Sequence, residues 1–227
     1  IVCFKFIYKV IFFHNIYMHT TIKNLLDIES KINNKAKIIA VSKTFPIDKI
    51  LPLIEHGHTD FGENKVQEAT EKWKEIKKIN SQIKLHMIGK LQTNKVKFAV
   101  QIFDYIHSVD SEKLAKKIAD ESKKLNKKIK IFIQVNIGDE EQKSGINKNE
   151  LDQLVFYSKE IGLNVIGLMC IPPANIDTKG YFEEMNKLNK ALGFTELSMG
   201  MSSDFDIAVK HSSTYVRVGS SIFGQRF

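Results

Sequence analysis

Eight short apolar runs alternate with seven longer amphipathic ones, and that alternation leaves few folds open to the chain. The runs read KIIAVSK (37–43), HTDFGEN (58–64), KLHMIG (84–89), FDYIHSV (103–109), KIFIQVNI (130–137), NVIGLMCI (164–171), TELSMGM (195–201) and TYVRVGS (214–220). Helical periodicity fills the intervals near 47–57, 65–79, 91–101, 111–126, 147–161, 178–192 and 203–211. A further helix, about 20–34, carries Ile22, Leu25, Leu26, Ile28 and Ile32 ahead of the first strand. So even a repeat favours an α/β chain closed as a single-domain (β/α)8 TIM barrel over an open, doubly wound sheet. The second strand has the thinnest signal, with Thr59, Asp60 and Phe61 before its glycine. No linker or low-complexity tract divides residues 18–227.

Residues 1–17, IVCFKFIYKVIFFHNIY, differ from the rest of the chain, being apolar and aromatic with Lys5, Lys9 and His14 interposed. The stretch falls short of the roughly 20 apolar residues that span a bilayer, and no small-residue cleavage site comes after it. A membrane anchor is the alternative. The expectation is a non-native or disordered upstream extension, with Met18 as the true start. The net charge of +8 comes from lysines set at helical spacing among acids and apolar residues, as in EKLAKKIADESKKLNKKIK. That pattern describes solvated helix faces, so neither nucleic acid nor a membrane is an expected partner. Cys3 and Cys170 lie too far apart in sequence to suggest a disulfide framework or metal-ligand spacing, which fits a reducing cytoplasm.

Barrel sites lie at the carboxyl ends of the strands. Here those ends offer Lys43, Glu63 with Asn64, His86, Ser108, Asn136, Met169, Ser198 with Met199, and Arg217 with Gly219. Period two turns Lys43 the same way as Ile39 and Val41, into the barrel. An ammonium there either snorkels to water or, as a neutral amine, attacks a carbonyl and forms an imine; strand position alone leaves both open. MGMSSDF and RVGSSIFG each place a glycine before hydroxyl residues at a helix start, after strands seven and eight. Such loops commonly bind phosphate, although Ser202 and Ser220 could equally be helix caps. Arg217 shares a face with Tyr215 and Gly219 and points its fixed charge toward the same place. A lysine imine, an arginine donor and a phosphate cradle together describe a pyridoxal phosphate pocket.

The segments AVSKT, FGENKVQE, HMIGKLQTNK, IHSVD, QVNIGDEEQKSGI, GLMCIPP, LSMGMSSDF and STYVRVGSSIFGQR resemble, in order, the signatures of the YggS/PROSC family of pyridoxal phosphate binding proteins. The likeness runs from about residue 20 to the C-terminus. It implies a barrel similar to the N-terminal domain of alanine racemase, with pyridoxal 5'-phosphate held on Lys43 as a Schiff base. It further implies that Ser202, Gly219 and Ser220 hold the phosphate and that Arg217 faces the pyridine nitrogen. Asn64, His86, Ser108 and Met199 line the same pocket by position, and Lys90 in IGKLQ is assigned no role. SSD stands where the family commonly has SDD, and GSS where GTA is common.

Two functions compete. A racemase needs acid and base groups on both faces of its substrate, and in alanine racemases a tyrosine from a partner subunit's second domain supplies one; no sequence after Phe227 provides it here. An arginine at the ring nitrogen also makes the ring a poorer electron sink. The resemblance implies a non-catalytic protein of vitamin B6 homeostasis; the cysteine usage leads one to expect the cytoplasm, and the lack of a subunit-swapped site a monomer. Pyridoxal phosphate dependent acceptor enzymes are possible partners, and an amino-acid racemase is the alternative.

Overall fold

Alternating burial along the first strand sets the plan of the molecule. Ile38 and Ala40 turn outward to a layer of helices, and Ile39 and Val41 turn inward. The computed structural model describes residues 19–140, 144–174 and 176–225, so the upstream extension expected at 1–17 lies outside the described residues. Eight parallel strands succeed one another around a closed barrel in chain order: β1 Lys37–Val41, β2 Asp60–Glu63, β3 Lys84–Met87, β4 Tyr105–Val109, β5 Lys130–Val135, β6 Asn164–Cys170, β7 Glu196–Met201 and β8 Tyr215–Val218. The thinly signalled second strand is present at four residues. Helix α1 (Thr20–Ile32) precedes β1, and α2 (Ile47–Glu55), α3 (Val66–Ile79), α4 (Val96–Ile102), α5 (Glu112–Lys124), α6 (Leu151–Glu160), α7 (Lys179–Ala191) and α8 (Phe205–Lys210) connect successive strands. A single turn, α9 (Ser220–Phe223), comes after β8.

Local chemistry marks several helix starts. Ser111 caps α5 by accepting from the Leu114 N–H, and single 3-10 turns at Thr93–Lys95 and Lys148–Glu150 lead into α4 and α6. Among the described residues no helix is long and apolar enough to cross a membrane.

Most of the buried apolar surface lies between sheet and helices, where Leu25, Leu53, Trp73, Ile118 and Phe182 pack on the outward strand residues. The barrel interior holds a separate cluster of Ile39, Tyr105, Phe132, Met169 and Tyr215. These bulky side chains plug the lower barrel and leave open space only toward the carboxyl ends of the strands. Ladder irregularities occur in β4 between Ile106 and Val109 and in β7 between Ser198 and Met201. Each shifts the inward-outward parity of the residues beyond it on its strand.

Gly167 in β6 shows how closely two strands meet: a Cβ there would collide with the Glu196 carbonyl oxygen. Gly167→Ala should lower unfolding free energy by about 3 kcal/mol or more in a urea titration, because backbone must move. Gly180→Ala in α7, where an added Cβ meets nothing within 4 Å, should leave it unchanged or slightly raised.

Candidate functional site

A cavity of about 580 Å³ opens at the carboxyl ends of the strands, a size typical of small-molecule sites. Lys43 after β1, Asn64 after β2, Ser202 after β7, and Arg217, Gly219 and Ser220 in and after β8 all line it. The closing ladder explains their convergence. Ile39 pairs with Arg217 and Ala40 with Val218, so β1 and β8 rise side by side and deliver Lys43 and Gly219 to one rim. A Cβ on Gly219 would stand 3.3 Å from that of Val41, so the missing side chain keeps this approach open.

The backbone on either side of Lys43 is pinned from outside the barrel. The Ser42 hydroxyl donates to Glu63 Oε1 at 2.8 Å, and Lys72 Nζ donates to the Ser42 carbonyl and to Glu63 Oε1, both at 2.9 Å. Trp73 Nε1 donates to the same carboxylate oxygen at 2.9 Å. Thr44 adopts φ 66°, an unfavourable left-handed conformation for a branched residue, and its N–H donates to Glu68, which also takes a bond from Lys72. Helix α3 thus grips the chain just before and just after Lys43.

Hydroxyl and amide donors gather beside Gly219 on the same rim. Ser202 does not cap α8, whose N-cap is Asp204; its Oγ instead accepts from the Gly219 N–H at 3.3 Å and the Ser221 N–H at 3.4 Å. The helix behind them is one turn long, so attraction for an anion comes from these N–H and O–H groups rather than from a macrodipole. Arg217 is 4% exposed and donates from Nη1 to Ser198 Oγ at 2.7 Å and from Nη2 to the Cys170 carbonyl at 2.8 Å. Burial pulls its pKa down, with Cys170 and Asp204 opposing. Among the described residues no carboxylate forms an ion pair with this guanidinium, whose remaining donors have the cavity to serve.

Three residues expected at the pocket lie elsewhere. His86 sits a layer lower, inside β3, and Ile88, two residues on and just past the strand's end, takes the position at the cavity wall. Met199 packs in the outer core by ordinary alternation, because its neighbour Ser198 points inward; the irregularity around Gly200 (φ 91°) then brings Met201 to the cavity. Ser108 falls within the β4 irregularity, buried off the wall with its hydroxyl lacking a hydrogen-bond partner. The sequence reading missed Ile88, Ile171, Met201, Ser203 and Gln225; Gly200 was the available signal for the parity change that brings Met201 in. A larger groove of about 750 Å³ lies at the opposite end, between the α5 terminus and the loops entering β5 and β6. Its lining is mostly lysine stems and loop residues, with Ser122 the one buried polar side chain among them.

With this geometry in place, the relatives become informative. The family model for the alanine racemase N-terminal domain matches residues 16–226. The pyridoxal phosphate homeostasis protein of Aquifex aeolicus is 37% identical over 203 residues, spanning 85% of this chain and 88% of its own length. The chain belongs to the pyridoxal phosphate homeostasis family. PipY of Synechococcus elongatus, solved with pyridoxal phosphate bound, superposes with a TM-score of 0.80 at 34% identity, over 89% of this chain and 99% of PipY. Alanine racemase of Clostridium difficile shares the barrel, with a TM-score of 0.73 at 15% identity over 91% of this chain and 57% of the enzyme.

Removing the ammonium that bridges Glu63, Glu68 and the Ser42 carbonyl strands a carboxylate that is 0% exposed. Lys72→Met should cost about 3 kcal/mol in urea unfolding and speed amide exchange around Lys43. Acid should weaken the fold through the interior histidines. Burial holds His86 and His107 below the ordinary 6.5, against the pull of Asp60 on His86. Unfolded, both would titrate near 6.5, so the stability from their neutral forms is complete above that pH and is lost as pH falls below it. Unfolding titrations between about pH 5 and 8 should show a decline of up to ~1.4 kcal/mol per unit for each histidine.

Proposed function

We propose that this chain binds pyridoxal 5'-phosphate in the cavity at the strand ends and serves vitamin B6 homeostasis as a carrier, holding the cofactor through Lys43. The observation that carries this reading is the convergence of three complementary groups on one wall: the Lys43 amine, the Ser202–Gly219–Ser220 cluster, and a buried Arg217 with donors to spare. The donor set fits the cofactor in kind, with a primary amine for an aldehyde, N–H and O–H groups for a phosphate, and a fixed cation for a ring acceptor. When bound, the cofactor supplies an aldehyde carbon that a primary amine captures as an imine with loss of water. Lys43 is the amine, presented by a backbone fixed at Ser42 and Thr44. Ser202, Ser220 and nearby backbone N–H groups hold the phosphate. Arg217 donates to the pyridine nitrogen and, being unable to accept a proton, keeps it unprotonated.

A carrier, rather than an enzyme, suits this wall. Racemisation takes a proton from one face and returns it to the other. Among the described residues lining the cavity, Lys43 is the one side chain suited to moving protons; the others are aliphatic, methionine, amide, serine, glycine and Arg217. Cys170 lies behind the wall with its thiol pushed up to about 12 by burial, unfit for acid-base work near neutrality and consistent with a reducing cytoplasm. The cavity's opening at the strand ends would let the carrier pass its cofactor to dependent enzymes.

Protein mixed with pyridoxal phosphate should turn yellow, and borohydride should bleach it and fix a phosphopyridoxyl group on the Lys43 peptide by mass spectrometry. Lys43→Ala should stay colourless. A label on another lysine would overturn the site. Solvent exchange of the α-proton of alanine at enzymatic rates would overturn the carrier reading.

A further inference from the structure

A line of hydrogen bonds runs through the barrel from its lower mouth to the cavity. Asp60 Oδ1 lies 2.9 Å from His86 Nε2, and His86 Nδ1 lies 3.0 Å from His107 Nε2. His107 Nδ1 lies 2.9 Å from Ser198 Oγ, which is 2.7 Å from Arg217 Nη1. His86, His107 and Ser198 are all 0% exposed, while the Asp60 side chain is 18% exposed. The rings are held flat by neighbours: His86 stacks on Tyr105 at 4.1 Å and His107 on Phe132 at 4.3 Å.

The two ends dictate the direction of every bond between them. A guanidinium only donates and an ionised carboxylate only accepts. Ser198 Oγ therefore accepts from Arg217 and donates to His107 Nδ1. His107 must then carry its proton on Nε2 and give it to His86 Nδ1, and His86 donates from Nε2 to Asp60. Each donor is used and each imidazole stays neutral. The opposite direction would add a proton to an imidazole in the same interior as Arg217 and leave the serine hydrogen without an acceptor. Burial favours the neutral rings; at Asp60 burial is the largest influence and pushes the carboxyl up, but the His86 and Thr59 hydrogen bonds and the charges of His86 and His58 together hold it below its usual range.

We infer that Asp60, His86, His107 and Ser198 are positioning residues for Arg217: a one-way hydrogen-bond chain that fixes the plane of the guanidinium and balances its charge from the far end of the barrel. That Arg217 meets the cofactor rests on the proposed function; the chain itself does not. The fixed plane decides which N–H groups turn to the cavity. Ser198 and the Cys170 carbonyl hold one Nη each, so losing Ser198 frees the guanidinium to rotate about its remaining contact.

Two measurements test the inference. Nitrogen NMR of histidine-labelled, cofactor-free protein near neutral pH should show His86 and His107 each protonated on Nε2 and bare on Nδ1. An Nδ1–H tautomer or an imidazolium at His107 would overturn the chain whether or not the cofactor binds. Pyridoxal phosphate titrations should then show Ser198→Ala weakened about tenfold or more, Ser198→Thr near the parent, and both melting close to the parent. Parental affinity in folded Ser198→Ala would refute the positioning role, and should that variant not fold, the tautomers of the parent protein still decide. Parent protein that does not bind the cofactor would defeat the proposed function and leave the tautomer result standing.

Discussion

Closure of the sheet between its first and last strands is the constraint on which the rest depends. Four residue pairs, from Lys37 with Tyr215 to Ala40 with Val218, join segments about 180 residues apart in sequence. Without that ladder Lys43 and Arg217 would belong to opposite edges of an open sheet. With it, inward positions two residues apart on each strand form matching steps: Ile39 beside Arg217, then Val41 beside Gly219, then Lys43 at the rim. Because the lower steps are filled by Tyr105, Phe132, Met169 and Tyr215, a ligand has access only from above.

The polar interior is paid for elsewhere in the fold. A buried guanidinium and two buried imidazoles cost desolvation that neutral hydrogen bonds only partly return. The helix-facing core, with Trp73, Phe61, Phe103 and Phe182 essentially inaccessible, supplies the compensating apolar burial. This division lets the inner face be chosen for chemistry and the outer face for stability. Adjacent residues can then obey different rules, as Ser42 and Lys43 do just beyond β1, the first bonded to the Glu63 carboxylate and the second lining the cavity.

Much of this plan was legible in the sequence, because period two and period 3.6 report the strands and helices directly. Lys43, Asn64, Arg217 and Gly219 emerged from counting inward positions, and Ser202 and Ser220 from glycine–hydroxyl loops. Counting failed where the ladder skips. Ser108 sits in one irregularity that alters parity and Met201 follows another, and a run of apolar letters does not locate a bulge; Met199 faces outward simply as the neighbour of inward Ser198. His86 failed for another reason: the chain keeps climbing past the end of β3, so Ile88, two residues on, and not the histidine, reaches the cavity. The support behind the site was hidden for lack of any local pattern. Glu63 and Lys72 meet on the outer face, and His107 reaches Ser198 across 91 positions of sequence.

Lys43 and Arg217 are therefore steadied from opposite sides of the same sheet. One is held by an ionic cluster between β1, β2 and α3 outside the barrel, the other by a neutral relay within it. The two sets of contacts share no residue, and the sheet itself stands between them. Sites without shared partners combine nearly additively, so damage to one support should leave the other intact. Such separation would suit the proposed function, in which Lys43 captures the aldehyde and Arg217 aligns the ring: each support could be adjusted without unsettling the other.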